Sequence, residues 1–339
     1  MGALRRLTIG LVTLCMALSL AGCAAPKLTL DPEELYALPE LPERYTALNQ
    51  QLSAIQEGGA EYATPVSGSN IQPVQMMDLD GDGREEALAF FRQSDGEKPL
   101  KIYIFAADGD SYRQVAVIEG SGLAIYSVAY SDMNGDGKME IIVGWRVSME
   151  LQALTVYTLE KDGIRELARS DYVKYAVADL DGDGQRELTV LRADETGAGT
   201  ADCYLWKNGT LTLGSSIRVS MTMAELSQQG RITVGVLRSS TPALFVTGVA
   251  DSTRAITDVL VLRGGELTNL VLSAMTGVSG ESSRFCTLYP TDINGDGVTE
   301  VPRTVPLSGD EESTASSGLT GSATMPPVWR QRRCPRITR

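Results

Sequence analysis

Four short stretches of the sequence crowd acidic side chains together: DLDGDGREE, DMNGDGKME, DLDGDGQRE and DINGDGVTE. They begin at residues 78, 132, 179 and 292 and share the pattern D-x-D/N-G-D-G-x-x-E. We call them the acidic loops and number them in chain order. Like charges this close repel each other unless a cation lies between them, so the pattern predicts a metal site in each loop.

Oxygen ligands would come from the side chains at positions 1, 3, 5 and 9 of each loop and from the backbone carbonyl at position 7. The candidate ligands are Asp78, Asp80, Asp82, Arg84 and Glu86 in the first loop; Asp132, Asn134, Asp136, Lys138 and Glu140 in the second; Asp179, Asp181, Asp183, Gln185 and Glu187 in the third; and Asp292, Asn294, Asp296, Val298 and Glu300 in the fourth.

The ligand types indicate calcium. Six or more hard oxygen atoms in a flexible arrangement suit Ca²⁺, whereas Mg²⁺ demands a tighter octahedron. Zinc prefers nitrogen and sulfur ligands, which the loops do not offer. The glycine at position 6 permits a positive φ angle, which wraps the loop around a centre. The sequence therefore predicts up to four Ca²⁺ ions with a mainly structural role.

An EF-hand is the obvious alternative for such a loop, and position 12 argues against it. An EF-hand carries a glutamate there and is flanked by helices. Position 12 is Ala89, Val143, Val190 or Arg303 in the four loops. Strand-like apolar runs such as EIIVGW follow the loops instead, so each loop is expected to open a β-strand.

Repeated hairpins predict an all-β fold. Four pairs of alternating runs surround a two-residue turn: Lys101–Ile118 around Asp108-Gly109, Leu154–Ala168 around Asp162-Gly163, Asp202–Gly214 around Asn208-Gly209, and Asp258–Leu272 around Gly264-Gly265. The acidic loops recur about every 50 residues, with one gap of about twice that length. A degenerate unit at Ala243–Leu262 fills the gap. The sequence thus predicts a β-propeller-like array of about five units of about 50 residues each.

The loops and the strands that follow them resemble the FG-GAP/VCBS repeat family over roughly residues 70 to 305. The resemblance implies an integrin-α-like β-propeller with calcium-binding loops. The first unit departs from the family pattern at Ala87, and the last carries Pro302 where a strand is expected, which weakens that unit to an edge. The number of blades stays open, and closure could draw on a strand around Asn70–Met77.

The N-terminus is typical of an exported protein. Arg5 and Arg6 precede an apolar run from Leu7 to Leu20, which is too short to span a bilayer. LAGC at residues 20–23 resembles the bacterial lipobox, which implies a lipid on Cys23 and anchoring to the cell membrane or envelope, facing outward. The alternative is an ordinary signal peptide with a chance cysteine.

These patterns divide the chain into a lipoprotein signal peptide (1–22), a proline-rich tether (23–42), a helical segment (43–59), the repeat domain (64–307) and a disordered tail (308–339). The helix is predicted over Glu43–Glu57 and is expected to pack against the edge of the domain. The basic end of the tail is either a genuine extension or a truncated or frame-shifted terminus.

The composition of the chain excludes several classes of partner and active site. A net charge of −13 argues against nucleic acid as a partner. With no histidine, the Ser-His-Asp and Cys-His catalytic systems and histidine metal sites are excluded. Cys203 and Cys286 either form a disulfide or remain buried free thiols.

Three functions fit. The favoured one is a non-catalytic lipoprotein with a calcium-stabilised domain that binds a protein or a glycan. The alternative is a polysaccharide-active hydrolase or lyase on the same scaffold, since paired carboxylates can perform acid–base catalysis. The third is a component of an envelope complex.

Overall fold

The computed structural model describes residues 45–94, 96–109, 111–250, 254–273, 280–282, 288–306 and 312–317. The predicted signal peptide, the tether, the lipidation site Cys23 and most of the predicted tail lie outside these ranges. The described part of the chain is mostly β, and its sheets are antiparallel and follow one another in chain order.

Twenty strands form five sheets within the described residues. The first sheet contains β1 (Ala60–Tyr62), β2 (Val74–Met77), β3 (Glu86–Gln93), β4 (Leu100–Asp108) and β5 (Ser111–Gly120); the second β6 (Ala124–Ser131), β7 (Glu140–Arg146), β8 (Gln152–Glu160) and β9 (Gly163–Asp171); the third β10 (Lys174–Ala178), β11 (Glu187–Ala193), β12 (Gly199–Lys207) and β13 (Thr210–Arg218); the fourth β14 (Arg231–Val236), β15 (Pro242–Ala250), β16 (Arg254–Arg263), β17 (Glu266–Asn269) and β18 (Glu281–Ser282); and the fifth β19 (Val301–Pro306) and β20 (Glu312–Ser317).

The second and third sheets are simple meanders in which each strand pairs with the next. The first sheet follows the same order, but its first strand is divided: β1 pairs with residues 91–93 of β3, and β2 pairs with residues 86–89 of the same strand. The Asn70–Met77 stretch, which was considered as a strand that closes a propeller, therefore contributes β2 to its own sheet.

All four predicted hairpins are confirmed, and each joins the third and fourth strands of its sheet. Asn208 and Gly209 both have positive φ angles, 53° and 77°, as a tight two-residue hairpin turn requires. The degenerate unit between the third and fourth acidic loops is confirmed as well, because Ala243–Leu262 lies within β15 and β16 of the fourth sheet.

Hydrophobic cores lie between consecutive sheets. The alternating side chains of each sheet meet those of the next, as in other layered β-proteins. Representative buried members are Phe90 and Trp145 between the first and second sheets, Val156 and Val190 between the second and third, Leu191 and Leu260 between the third and fourth, and Phe245 and Val301 between the fourth and fifth.

Two helices occur in the described residues, α1 (Thr46–Glu57) and α2 (Met223–Ser227). Neither is long and apolar enough to cross a bilayer. Helix α1 buries Leu48 and Leu52 and ends at Glu57. The N–H of the following residue, Gly58, donates to the Ala54 carbonyl over 3.1 Å. The Gln51 amide donates to the Tyr112 carbonyl in the outer strand β5, so the predicted packing at the domain edge is confirmed.

The fifth sheet differs from the others because, among the residues that the structure describes, β19 pairs only with β20. Pro302 lies in β19, consistent with its prediction as an edge position. Glu312–Ser317, which lies in the predicted tail, forms β20; the assignment of residues 308–339 to a disordered tail stays a prediction. The exposed backbone groups of an edge strand favour pairing with any nearby segment, whatever its composition. At the other end, β1 extends the first sheet to Ala60, before the predicted boundary at residue 64.

Candidate metal centre

Three of the acidic loops connect the first and second strands of a sheet. The first loop joins β2 to β3, the second joins β6 to β7, and the third joins β10 to β11. Strand pairing closes each loop, since its final glutamate lies opposite the residue just before the loop, as Met77 lies opposite Glu86. The fourth loop is closed by a bridge between Thr291 and Glu300 and leads into β19.

The first aspartate of each loop holds the turn together. Asp78 accepts hydrogen bonds from the N–H groups of Gly81 and Gly83 at 2.8 and 2.9 Å. Both glycines have positive φ angles, 75° and 85°, a region in which a residue with a β-carbon is strained. The same pair of bonds recurs in the other three loops at 2.6–3.1 Å.

The side chains at positions 3 and 5 continue the same pattern. Asp80 accepts the N–H of Asp82 at 3.2 Å, and Asp82 accepts the N–H of Arg84 at 2.8 Å. Equivalent bonds occur in the other loops at 2.7–3.2 Å. Each loop thus wraps its backbone around its own side-chain oxygens, so the four loops are nearly identical in local structure.

The glutamate at position 9 is buried in the first three loops. Glu86, Glu140 and Glu187 are 2%, 1% and 3% exposed. Each accepts the N–H of the residue at position 2, at 2.8, 2.9 and 2.7 Å. Burial raises the pKa of each carboxyl to about 7, and repulsion from the loop aspartates adds to the rise while the backbone N–H opposes it.

Carboxylates converge in two of the loops. In the first and third loops, carboxylate oxygens from positions 1, 3 and 9 lie within 4.8 Å of one another. The groups are Asp78, Asp80 and Glu86, and Asp179, Asp181 and Glu187. The position-5 side chains are held by the backbone N–H at position 7. The backbone carbonyl ligand at position 7 stays a prediction.

Asparagine replaces the second carboxylate in the other two loops. The Asn134 amide nitrogen donates to Asp136 at 3.1 Å, and Asn294 donates to Asp296 and Glu300 at 3.2 and 3.1 Å. The asparagine amide nitrogen donates a hydrogen bond to a neighbouring carboxylate, whereas an aspartate at the same position would repel that carboxylate. The second and fourth loops therefore relieve part of their own repulsion.

The fourth loop is the least enclosed. Its position-2 residue, Ile293, is 46% exposed, whereas Leu79, Met133 and Leu180 are at most 1% exposed. Those three side chains each enter a core that the next sheet completes. In the described residues only the two strands β19 and β20 follow the fourth loop. Hydrogen bonds from the backbone, that of Gly297 first, lower the pKa of the exposed Asp292.

The donor set fits a calcium ion. All side-chain donors at positions 1, 3, 5 and 9 are carboxylate or amide oxygens, and the loops contain no thiol or imidazole. The converging carboxylates are gathered on a turn that a cation would stabilise by relieving their repulsion. Asp78, Asp80 and Glu86, with their counterparts in the third loop, are the residues that would hold Ca²⁺ most directly.

Positions 2 and 8 of the loops also contribute to the site, although neither offers a metal ligand. Position 2 is apolar in every loop, and this pattern was the available signal for a side chain that enters the core. Position 8 acts through its backbone N–H, which donates to the preceding unit from Met139, Arg186 and Thr299. Its residue types share no property, so no sequence pattern could have revealed it.

Cys203 is a buried free thiol in β12. Of the two alternatives, the structure therefore favours the free thiol for this residue. Cys286, its considered partner, lies outside the described residues.

Comparison with known proteins supports the repeat assignment for part of the chain. Residues 78–143 match the model of the FG-GAP-like repeat. A search of curated proteins finds no match. Among solved structures, a rhamnogalacturonan lyase PL11 from Bacillus licheniformis is similar at 13% identity and a TM-score of 0.39, over 71% of this chain and 59% of that one.

A Xanthomonas protein related to the type IV secretion system is similar at 14% identity and a TM-score of 0.26, over 61% of this chain and 97% of that one. This chain spans less than two thirds of the lyase. Because both TM-scores are below 0.5, neither likeness bears on the fold or activity of this chain. The match over residues 78–143 contains the first two acidic loops and confirms their resemblance to the FG-GAP-like repeat.

Proposed function

We propose that this chain is an exported lipoprotein, anchored through Cys23, whose domain is a calcium-stabilised β-propeller-like array that binds a protein or a glycan without catalysis. The observation that carries the proposal is the common structure of the four acidic loops. The first aspartate of each loop orders its own turn, and three of the four turns lie between paired strands, which is the placement expected of a structural ion site.

The environment of the glutamates argues for a structural role. A pKa of about 7 for Glu86, Glu140 and Glu187 would suit a general acid. However, a general acid must reach the substrate within hydrogen-bond distance. These side chains are at most 3% exposed, and each faces the backbone of its own loop. The loops thus support binding-module function over the hydrolase or lyase alternative.

The sheet order supports the propeller-like arrangement. Consecutive sheets share cores, the strands of each sheet are nearly consecutive in the chain, and three acidic loops occupy the same strand connection. Propeller blades have this organisation.

Thermal unfolding with and without calcium tests the structural role. If each site has a Kd near ~10⁻⁴ M, ~1 mM Ca²⁺ stabilises the fold by about 1.4 kcal/mol per site. Four sites would then raise the Tm by on the order of 10 °C relative to EDTA. Mg²⁺ at the same concentration should do much less. A melting curve that neither EDTA nor Ca²⁺ alters contradicts the proposal.

Two further experiments test the binding role and the anchor. Polysaccharides incubated with the protein should be bound without turnover; turnover would support the enzyme alternative. Pull-down from the envelope tests for a protein partner, and a stable multi-protein complex would support the assembly role. Cys23→Ala should release the protein from the membrane fraction, and retention of this variant would contradict lipid anchoring.

A further inference from the structure

The first three acidic loops are joined directly to one another. The Met139 N–H, at position 8 of the second loop, donates to the Leu79 carbonyl at position 2 of the first loop over 3.0 Å. The Arg186 N–H, at position 8 of the third loop, donates to the Met133 carbonyl at position 2 of the second over 2.8 Å. The same pair of positions thus links each loop to the next.

The residue at position 2 also holds the buried glutamate of its own loop. The Leu79 N–H donates to Glu86 at 2.8 Å, and the Met133 N–H donates to Glu140 at 2.9 Å. Since Met139 is the residue before Glu140, a continuous route of hydrogen bonds and peptide groups leads from one candidate calcium ligand to the next. Repetition of these bonds extends the route to Glu187.

Packing keeps this route rigid. The side chains of Leu79, Met133 and Leu180 are at most 1% exposed and lie in three successive cores between the sheets. Because protein cores are close-packed, a shift of the position-2 residue must displace its neighbours. A change in the conformation of one loop therefore changes the geometry of the next loop.

The fourth loop is outside this series. The corresponding connection of the fourth sheet, residues 237–241, contains no carboxylate. The Thr299 N–H, at position 8 of the fourth loop, donates to Val236 at the end of β14 over 2.9 Å. The fourth loop thus makes the same contact with the preceding unit, but that unit offers no acidic loop with which to couple.

We propose that the first three loops bind Ca²⁺ as one coupled unit and that the fourth loop binds it independently. The inference rests on the proposed calcium role of the loops. A cation that orders one loop fixes the carbonyl that accepts the N–H of the residue before the neighbouring glutamate. The next cation then meets a site whose ordering cost is already lower, which gives positive coupling.

Hydrogen exchange measured by mass spectrometry during a Ca²⁺ titration of the full chain tests the coupling loop by loop. In the wild type, peptides covering the first three loops should gain protection at one common Ca²⁺ midpoint. Glu140→Gln disables the second loop and should raise the midpoints of the first and third loops at least about fivefold. The matched control, Glu300→Gln in the fourth loop, should leave the Ca²⁺ midpoints of the first three loops unchanged.

The reverse variant provides a second test, which remains usable if Glu140→Gln does not fold: Glu86→Gln disables the first loop and should by itself raise the midpoint of the second loop at least about fivefold. Where both variants fold, the two shifts can also be compared. Linkage requires Glu86→Gln to shift the second loop by the same factor by which Glu140→Gln shifts the first. Both shifts should persist at ~0.5 M KCl, where exposed charges are screened beyond a few ångströms. Loss of the shifts at high salt would overturn the hydrogen-bonded route and assign the effect to charge.

The remaining outcomes separate the two proposals. Calcium protection with unchanged midpoints in both variants would overturn the coupling and leave the calcium role intact. No protection of any loop at ~10 mM Ca²⁺ would overturn the calcium role itself, and the coupling with it.

Discussion

Gly81 in the first acidic loop lies against the carbonyl oxygen of Gly137 in the second: a β-carbon at residue 81 would stand 2.8 Å from that oxygen. Real β-carbons do not approach a backbone atom this closely. The first two loops are therefore in direct backbone contact, and the contact depends on a glycine at this position.

Gly81→Ala should destabilise the protein more than the matched variant Gly83→Ala. Both glycines have positive φ angles, 75° and 85°, but Gly83 has open space around its Cα. Backbone strain should cost Gly83→Ala about 1 kcal/mol, whereas the added clash should bring Gly81→Ala to about 2 to 4 kcal/mol. Urea unfolding at fixed Ca²⁺ measures both, and equal losses would show that the loops are not in contact.

Asn134→Asp should raise the calcium affinity of the second loop several-fold, since ligand charge tunes such sites. The same change should lower the Tm in EDTA, because Asn134 no longer donates to Asp136 and a repulsive carboxylate takes its place. Isothermal titration calorimetry and melting curves measure the two opposite effects. Asp80→Asn in the first loop is the reverse control. For Asn134→Asp, a Tm that falls equally with and without Ca²⁺ would contradict the prediction.

Stability in EDTA should fall as the pH rises from about 4.5 to about 7.5. Glu86, Glu140 and Glu187 have folded-state pKa values of about 7, above the unfolded value of 4.5. The folded state therefore holds protons that the unfolded state has released, and this advantage is lost as the pH passes through the folded pKa. Urea unfolding at several pH values measures the trend.

The stabilisation by Ca²⁺ should grow over the same pH interval, because protons and the cation compete for the same carboxylates. A triple variant with glutamine at these three positions is the control and should show a flat profile in EDTA. A stability that increases with pH in the wild type would show that the buried glutamates are not protonated.

Cys203 should resist alkylation in the folded protein. Its side chain is fully buried, and burial raises the pKa of the thiol to about 12, so almost no thiolate exists at pH 8. Iodoacetamide labelling followed by peptide mass spectrometry should find Cys203 unmodified in buffer and modified in guanidinium chloride. A peptide in which a disulfide links Cys203 to Cys286 would instead establish that pairing.

The sequence predicted features that depend on residues close together in the chain. Asp78 and its two glycines lie within six residues, and the Asn208-Gly209 turn is set by two residues. The acidic loops, the hairpins and the degenerate fourth unit were therefore predictable. The order of residue types along the chain was sufficient to predict these features.

Contacts between units could not be predicted in this way. The bond from Met139 to Leu79 uses backbone atoms 60 residues apart, and any residue except proline can make it. The division of the first strand into β1 and β2 also has no sequence marker, and β20 pairs despite a composition typical of disorder. These features follow from tertiary contacts rather than from local propensity.

The chain order of the sheets has a consequence for how the protein acquires its structure during synthesis. Strand partners in the second sheet lie within residues 124–171 and those in the third within residues 174–218. Each meander can form once its own residues have emerged, and each core needs only one further sheet. Short-range pairing of this kind favours rapid folding, and multi-unit chains fold from the N-terminus as they are made. The nascent chain can thus assemble sheet by sheet, with the fifth sheet added last.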